Sequence, residues 1–192
     1  MVNILGQRDL VIYLAALLNK KKIKYLLTGS LAVSYYGYPR ATHDIDFVVE
    51  IQKHDSKKIL KVFKNIPASF LIDHTQIKDS IENSSQFNIY HPDTGIKIDF
   101  WVIGVNKFEQ NKFKRKKTIL IDKQKVDIVS AEDLILTKLL WCKTIKSERH
   151  LRDCTGIIQI QKNKLNKEYL ETWTNKLELK DLFNEVSSQK YY

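Results

Sequence analysis

One stretch constrains this chain more than any other. Between Ile23 and Glu50 it writes an apolar run, a Gly29-Ser30 pair, a short helical segment, a Gly/Pro break and then Asp-Ile-Asp-Phe-Val-Val-Glu. Ile23 to Thr28 predicts a buried strand, and Leu31 to Tyr36 a short helix stopped by Gly37 and Pro39. Asp44 to Glu50, rich in β-branched and aromatic residues, predicts a second strand. Strand, tight turn, helix and strand in immediate succession point to an α/β class. In a strand, residues i and i+2 share a face. Asp44 and Asp46 therefore project together, while Ile45 and Phe47 turn towards a core. Glycine at 29 lets the backbone approach a ligand closely, and a helix starting there offers free N–H groups to a phosphate. The same serine could equally be a plain N-cap. No Gly-Lys-Ser/Thr follows, so this is not a Walker loop.

The rest of the chain falls into two parts. Asp9 to Leu18 and Ser56 to Phe63 read as helices. Phe87 to His91 and Gly95 to Ile103 read as strands joined by Pro92-Asp93-Thr94-Gly95. Ile119 to Asp122 and Lys125 to Val129 add two short strands. After Ser130 the pattern turns helical. Ser130-Ala131-Glu132-Asp133 resembles a capping box opening a helix to about Lys143, followed by helical stretches at Arg149–Gln159, Lys167–Leu177 and Leu182–Val186. The expected organisation is an α/β core over residues 1–129 and a C-terminal helical lobe over 130–192. The core is expected to be a small, mixed, twisted sheet with flanking helices.

A third acid lies in Ile96-Lys97-Ile98-Asp99-Phe100-Trp101. Ile96, Ile98 and Phe100 share one face, so Asp99 projects from the other, beside Lys97. Two carboxylates side by side repel by roughly 1 to 4 kcal/mol, a cost that a divalent cation removes. Mg²⁺ is a hard ion that uses one or two carboxylates together with substrate phosphates. Asp44, Asp46 and Asp99 thus form a candidate metal set for two Mg²⁺, with Mn²⁺ as the alternative. Such ions activate an attacking hydroxyl and neutralise a phosphoryl group in transfer. Singly, each acid could be an exposed edge residue or a cap.

Lysine and arginine outnumber acids 32 to 22 in the 192 residues, a net charge of +10, which favours an anionic partner such as nucleic acid or nucleotide. Only five of the cations are arginine, the better phosphate fork, so scattered lysine is also consistent with a solvated surface. Lys112, Lys114, Arg115, Lys116 and Lys117, flanked by Phe108 and Phe113, are either a nucleic-acid contact or a solvated connector. The histidines at 43, 54, 74, 91 and 150 have no zinc-ligand spacing, and no Gly-x-Ser-x-Gly elbow is present. No apolar run reaches a membrane-spanning length, and the start carries no leader pattern. With Cys142 and Cys154 lacking CxxC spacing, the expected setting is a reducing cytoplasm.

At this point the sequence resembles the DNA polymerase β-type nucleotidyltransferase superfamily, with its Gly-Ser turn, Asp-x-Asp strand and later third acid. Thr28-Gly29-Ser30-Leu31-Ala32-Val33 through Gly37-Tyr38-Pro39-Arg40-Ala41-Thr42-His43-Asp44-Ile45-Asp46 is similar to the AbiEii-like bacterial branch, as is Ser130 to Leu139. That branch includes toxin components of toxin–antitoxin and phage-defence systems. The resemblance implies catalytic and metal-binding roles for Asp44, Asp46 and Asp99, with Gly29 and Ser30 on the phosphates of an NTP such as ATP. Arg40 and Thr42 are candidates for phosphate or acceptor, or for a structural turn. Lys138 shares an apolar helical stripe with Leu134, Ile135 and Cys142, so its head either reaches a triphosphate or escapes to water. Asp153, after Arg152, reads as an anchor between helices. The resemblance further implies transfer of an NMP to an acceptor, with release of pyrophosphate. RNA, tRNA in particular, is the leading acceptor; a protein hydroxyl, as in AMPylating antitoxins, and an antibiotic are the alternatives. A cognate toxin or antitoxin partner is also implied. The competing class is a catalytically silent nucleic-acid-binding module.

Overall fold

The computed structural model describes residues 4–104 and 106–190. These fall into two compact units, one comprising residues up to Ser30 with Thr42–Val129, the other Leu31–Ala41 with the chain from Ser130 onward.

The first unit opens on α1 (Gln7–Lys20), whose Leu10, Val11, Leu14, Ala15 and Leu18 form one buried stripe at helical spacing. Asp9 in its first turn and Lys20 in its last suit the helix dipole. Among the described residues seven strands follow: β1 (Lys24–Thr28), β2 (Asp44–Glu50), β3 (Leu71–Ile72), β4 (Gln86–His91), β5 (Ile96–Val102), β6 (Lys117–Ile121) and β7 (Gln124–Ile128). They form one mixed sheet in the order β3-β4-β5-β2-β1-β7-β6. β1 runs antiparallel to β2 and parallel to β7, and β2 runs parallel to β5. The expected mixed α/β sheet is what the chain forms.

One sheet face is fastened by aromatics. Phe47 of β2 stacks on Phe100 of β5 at 5.5 Å, and Phe100 stacks on Phe87 of β4 at 4.9 Å. Phe47 and Phe87 are both direct register partners of Phe100. Tyr25 meets Phe47 edge-on at 5.6 Å, and Phe63 meets both Phe87 and Phe100 edge-on. Each such pair contributes about 0.5–1.5 kcal/mol beyond its buried area. Phe63 belongs to α3 (Ser56–Lys64), which packs its Ile59, Val62 and Phe63 inward. Because side chains alternate along a strand, this row dictates which residues leave on the other face. Those are Asp46 and Asp99, the chain neighbours of Phe47 and Phe100.

Two helices of this unit have no counterpart in the sequence expectation: α4 (His74–Asn83) and α5 (Lys107–Lys114). In α5, Phe108, Lys112 and Phe113 are buried. The Lys112 ammonium lies 2.7 Å from Glu109 and 5.2 Å from the Phe108 ring centre. Lys116 pairs with Asp127. Part of the basic cluster thus serves the fold itself.

The second unit is helical: α6 (Ala131–Thr144), α7 (Glu148–Gln161), α8 (Lys167–Lys176) and α9 (Lys180–Ser188). It also takes the body of α2 (Gly29–Tyr36), whose first two residues belong to the sheet unit. Ser130 caps α6: its hydroxyl accepts from the Asp133 N–H and donates to the Asp133 carboxylate at 2.7 Å. Cys142 and Cys154 are free and buried. Among the described residues no helix is long and apolar enough to cross a membrane.

Candidate active site

The site starts at the end of β1. Thr28 is the register partner of Asp46, so the turn that follows it lies directly beside the Asp46 side chain. Gly29 takes a φ of +62°, a left-handed conformation in which an L side chain is strained. A Cβ there would stand 1.9 Å from Asp46 Oδ2 and 2.5 Å from its Cγ. Glycine is required twice over, by its backbone and by the carboxylate that fills the place of its missing side chain. Gly29→Ala is expected to cost about 1–3 kcal/mol of stability and to push the Asp46 carboxylate aside, lowering transfer activity. Chemical denaturation and an activity assay check this; a variant as stable and active as the parent would contradict the contact.

The acids follow from the pairing of β2 with β5. Asp46 sits opposite Asp99, and Asp44 opposite Lys97. All four side chains leave by the face away from the aromatic row. Gln7 ties down the entrance to β2, its amide donating to the carbonyls of Thr42 at 3.3 Å and Asp44 at 3.2 Å. The Asp44 N–H in turn donates to the Thr42 hydroxyl at 3.3 Å.

Asp99 is 5% exposed, and its two oxygens are unlike. Oδ2 receives the Lys97 ammonium at 2.9 Å, whereas Oδ1 is buried with no hydrogen-bond partner. The hydrogen bond to Asp99 is the first cause that raises the Lys97 pKa; burial opposes it, and the charges of Asp99, Asp44 and Asp46 add to it. A buried carboxylate oxygen without a partner costs about 1–3 kcal/mol, and a hard cation or an acceptor hydroxyl would relieve that cost. The donor set fits Mg²⁺ in kind: carboxylate oxygens, side by side, one of them uncommitted. Among the described residues no three His, Cys, Asp or Glu side chains are gathered as a ready-made metal group. Asp46 and Asp99 are the adjacent pair, and Asp44 lies one pleat along.

The sequence placed Lys97 next to Asp99 but gave it no task. Its parity along β5 was the available signal, since residues 97 and 99 share a face just as 44 and 46 do.

Two other expected site residues belong to the helical unit and converge on Asp153. Arg40 grips that carboxylate with Nε at 3.0 Å from Oδ1 and Nη2 at 3.2 Å from Oδ2. Lys138, 2% exposed, brings its ammonium to 2.9 Å from Asp153 Oδ2 and 3.4 Å from His150 Nδ1. Lys138 thus neither snorkels to water nor stands free in its apolar stripe. Asp153 joins α7 to α6 and to the 31–41 segment at once.

The fold recurs among solved structures. An antigenic nucleotidyltransferase-like protein from Paracoccidioides brasiliensis aligns at 20% identity and TM-score 0.57, over 96% of this chain and 94% of that one. The lincosamide antibiotic adenylyltransferase LnuA, with lincomycin bound, aligns at 15% identity and TM-score 0.54, over 81% and 98%. ANT(2″)-Ia, in complex with adenylyl-2″-tobramycin, aligns at 11% identity and TM-score 0.61, over 91% and 98%. At these identities the likeness is one of fold. No curated protein matches the sequence. The family described as nucleotidyl transferase AbiEii toxin, Type IV TA system, matches residues 12–189, nearly the whole chain. A Gly-Ser turn pressed against Asp46, with Asp99 on the next strand, is therefore met in a member of that family: the chain belongs to the AbiEii nucleotidyltransferases.

Proposed function

We propose that this nucleotidyltransferase moves a nucleoside monophosphate from an NTP to a hydroxyl of RNA, tRNA being the leading acceptor. We propose also that it does so as the toxin component of a toxin–antitoxin pair. The observation that supports the chemistry most is the register match of Asp46 with Asp99 beside the Gly29 turn. The family's description supports the toxin role and a partner antitoxin. The net charge of +10 supports a polyanionic acceptor over a cationic drug.

In this reading the backbone at Gly29 and Ser30, opening α2, holds the nucleotide's phosphates. Asp44, Asp46 and Asp99 would hold Mg²⁺, which when bound lowers the pKa of the attacking hydroxyl and offsets the charge of the phosphates. Asp99 orients the acceptor hydroxyl through its uncommitted Oδ1 and receives its proton. The acceptor oxygen bonds to the α-phosphorus, the bond from that phosphorus to the bridging oxygen breaks, and pyrophosphate leaves. Lys97 keeps Asp99 aimed by holding its other oxygen. Gln7 and Thr42 keep Asp44 at the strand's start.

The test is to incubate the protein with labelled NTPs, Mg²⁺ and cell lysate, and to ask which fraction gains label. Label in RNA, lost in the Asp44→Ala/Asp46→Ala double variant, is the expected result. Label confined to protein or to small molecules would remove the RNA acceptor. A double variant that keeps the full biological effect would remove the enzymatic basis of toxicity.

A further inference from the structure

The chain has five arginines, and three of them line one cavity of the helical unit. Arg40, Arg149 and Arg152, with Glu148 and Asp153, enclose about 350 Å³. That falls within the range of small-ligand sites. Arg149 and Arg152 stand three residues apart on α7, so their side chains share a helix face. Both are exposed, and neither forms an ion pair among the described residues. Arg40 differs, its fork being held by Asp153.

The local charges do not balance. Three guanidinium groups, those of Arg40, Arg149 and Arg152, line the cavity with two carboxylates, those of Asp153 and Glu148, a formal excess of one positive charge. Asp153 already serves two cations. Burial first, then the charge of Lys138, with Arg149 and Arg40 adding to it against Asp153, holds the neighbouring His150 below its usual pKa. A concavity with two uncommitted guanidinium forks and a surplus of positive charge suits an anion with several acceptor oxygens. Guanidinium matches phosphate oxygens in both charge and fork geometry.

We infer that this cavity is a phosphate site, in which Arg149 and Arg152 supply the free forks and Asp153 fixes Arg40 as the third wall. It shares Arg40 with the candidates for phosphate or acceptor but no residue with Gly29, Ser30, Asp44, Asp46 or Asp99, so binding by Arg149 and Arg152 is tested apart from transfer by the acids. The phosphate belongs either to an RNA backbone or to a nucleotide.

The test measures equilibrium binding of the full chain to fluorescein-labelled tRNA and, separately, to a fluorescent ATP analogue, over a range of salt. The variants are Arg149→Ala/Arg152→Ala and a charge-matched control, Lys57→Ala/Lys58→Ala, on the exposed side of α3. The arginine pair is expected to weaken binding about tenfold or more and to make the log–log salt slope shallower by about 1 for each phosphate no longer neutralised. The lysine pair is expected to leave the slope unchanged. Loss confined to tRNA assigns the site to a polynucleotide, and loss confined to ATP assigns it to a nucleotide; either upholds it. Arg149→Lys/Arg152→Lys, which keeps the charge without the fork, is expected to bind at an intermediate level. The site is refuted if the alanine pair loses no more than the lysine control, or if the lysine replacements restore full affinity. Both arginines are exposed and unpaired, so a thermal midpoint equal to the parent's is expected throughout.

Discussion

Replacing Asp99 with asparagine is expected to slow nucleotidyl transfer by about 10²–10⁴-fold, the range for loss of a positioned proton acceptor, without unfolding the protein. Asparagine keeps the size of the side chain and can still meet Lys97, whose side chain is 45% exposed and able to hydrate. What disappears is the negative charge and the basicity of an oxygen now buried without a partner. Removing a charge from that position takes away a desolvation cost, so the thermal midpoint is expected to hold or to rise. The two readouts move apart, which separates a chemical role from a structural one. A variant that retains a tenth or more of the parental rate would end the assignment of Asp99 to the chemistry.

The second large effect concerns stability. Asp153→Ala is expected to cost about 3–5 kcal/mol, the range for breaking a buried ion pair from one side. Arg40 can turn to water, but Lys138 is 2% exposed and would keep only a 3.4 Å approach to His150. Urea denaturation with an unchanged slope would show this as a lower midpoint. A cost below about 1 kcal/mol would mean that the lysine finds water or loses its proton easily. Asp153→Asn, which keeps the shape and an acceptor, is expected to lose less. The effect also has a defined dependence on pH. Burial pushes the Asp153 carboxyl up, but the hydrogen bonds of Arg40 and the charge of Lys138 outweigh it and hold the group below the ordinary carboxylate range. A carboxyl depressed by folding stabilises at pH values above its unfolded pKa, and that contribution is lost as the pH falls through the folded value. The difference between parent and Asp153→Ala is therefore expected to be level through neutrality and to shrink only below about pH 4.

Much of this was legible in the residues because two strong periodicities coincide. The bounds of β2, Asp44–Glu50, are those that the alternation predicts, and the Pro92–Gly95 turn does join antiparallel strands. The alternation that places Phe47 and Phe100 on one face of the sheet also turns Asp46 and Asp99 to the other, so the apolar pattern of the strands announced the face from which the acids leave. The helices α4 and α5 were not legible. Helix α4 buries only Ile77, Ser80 and Ile81, too few apolar residues to write a period, although its N-cap Asp73 accepts from the N–H groups of Thr75 and Gln76. Helix α5 was masked by its charge: Lys112 looks solvent-bound in a basic string, yet Glu109, one turn earlier, draws it inside. The β6–β7 hairpin turns on Asp122 and Lys123, both at positive φ, where glycine would have advertised the bend. Pairings across 113 positions, such as Arg40 with Asp153, leave no local pattern at all.

The order in which the chain threads its two units bears on how it is made. Residues 31–41 emerge from the ribosome well before α7, their partner through Arg40 and Asp153. At roughly 5–20 residues per second, that partner arrives about 6–23 s later. During this interval the sheet unit is still being synthesised while residues 31–41 await the helices of their own unit. A nascent chain halted after Val129 would hold every acid of the site and still lack Asp153, so the Arg40 guanidinium would wait for that carboxylate, a handle for chaperones or proteases until α7 is made.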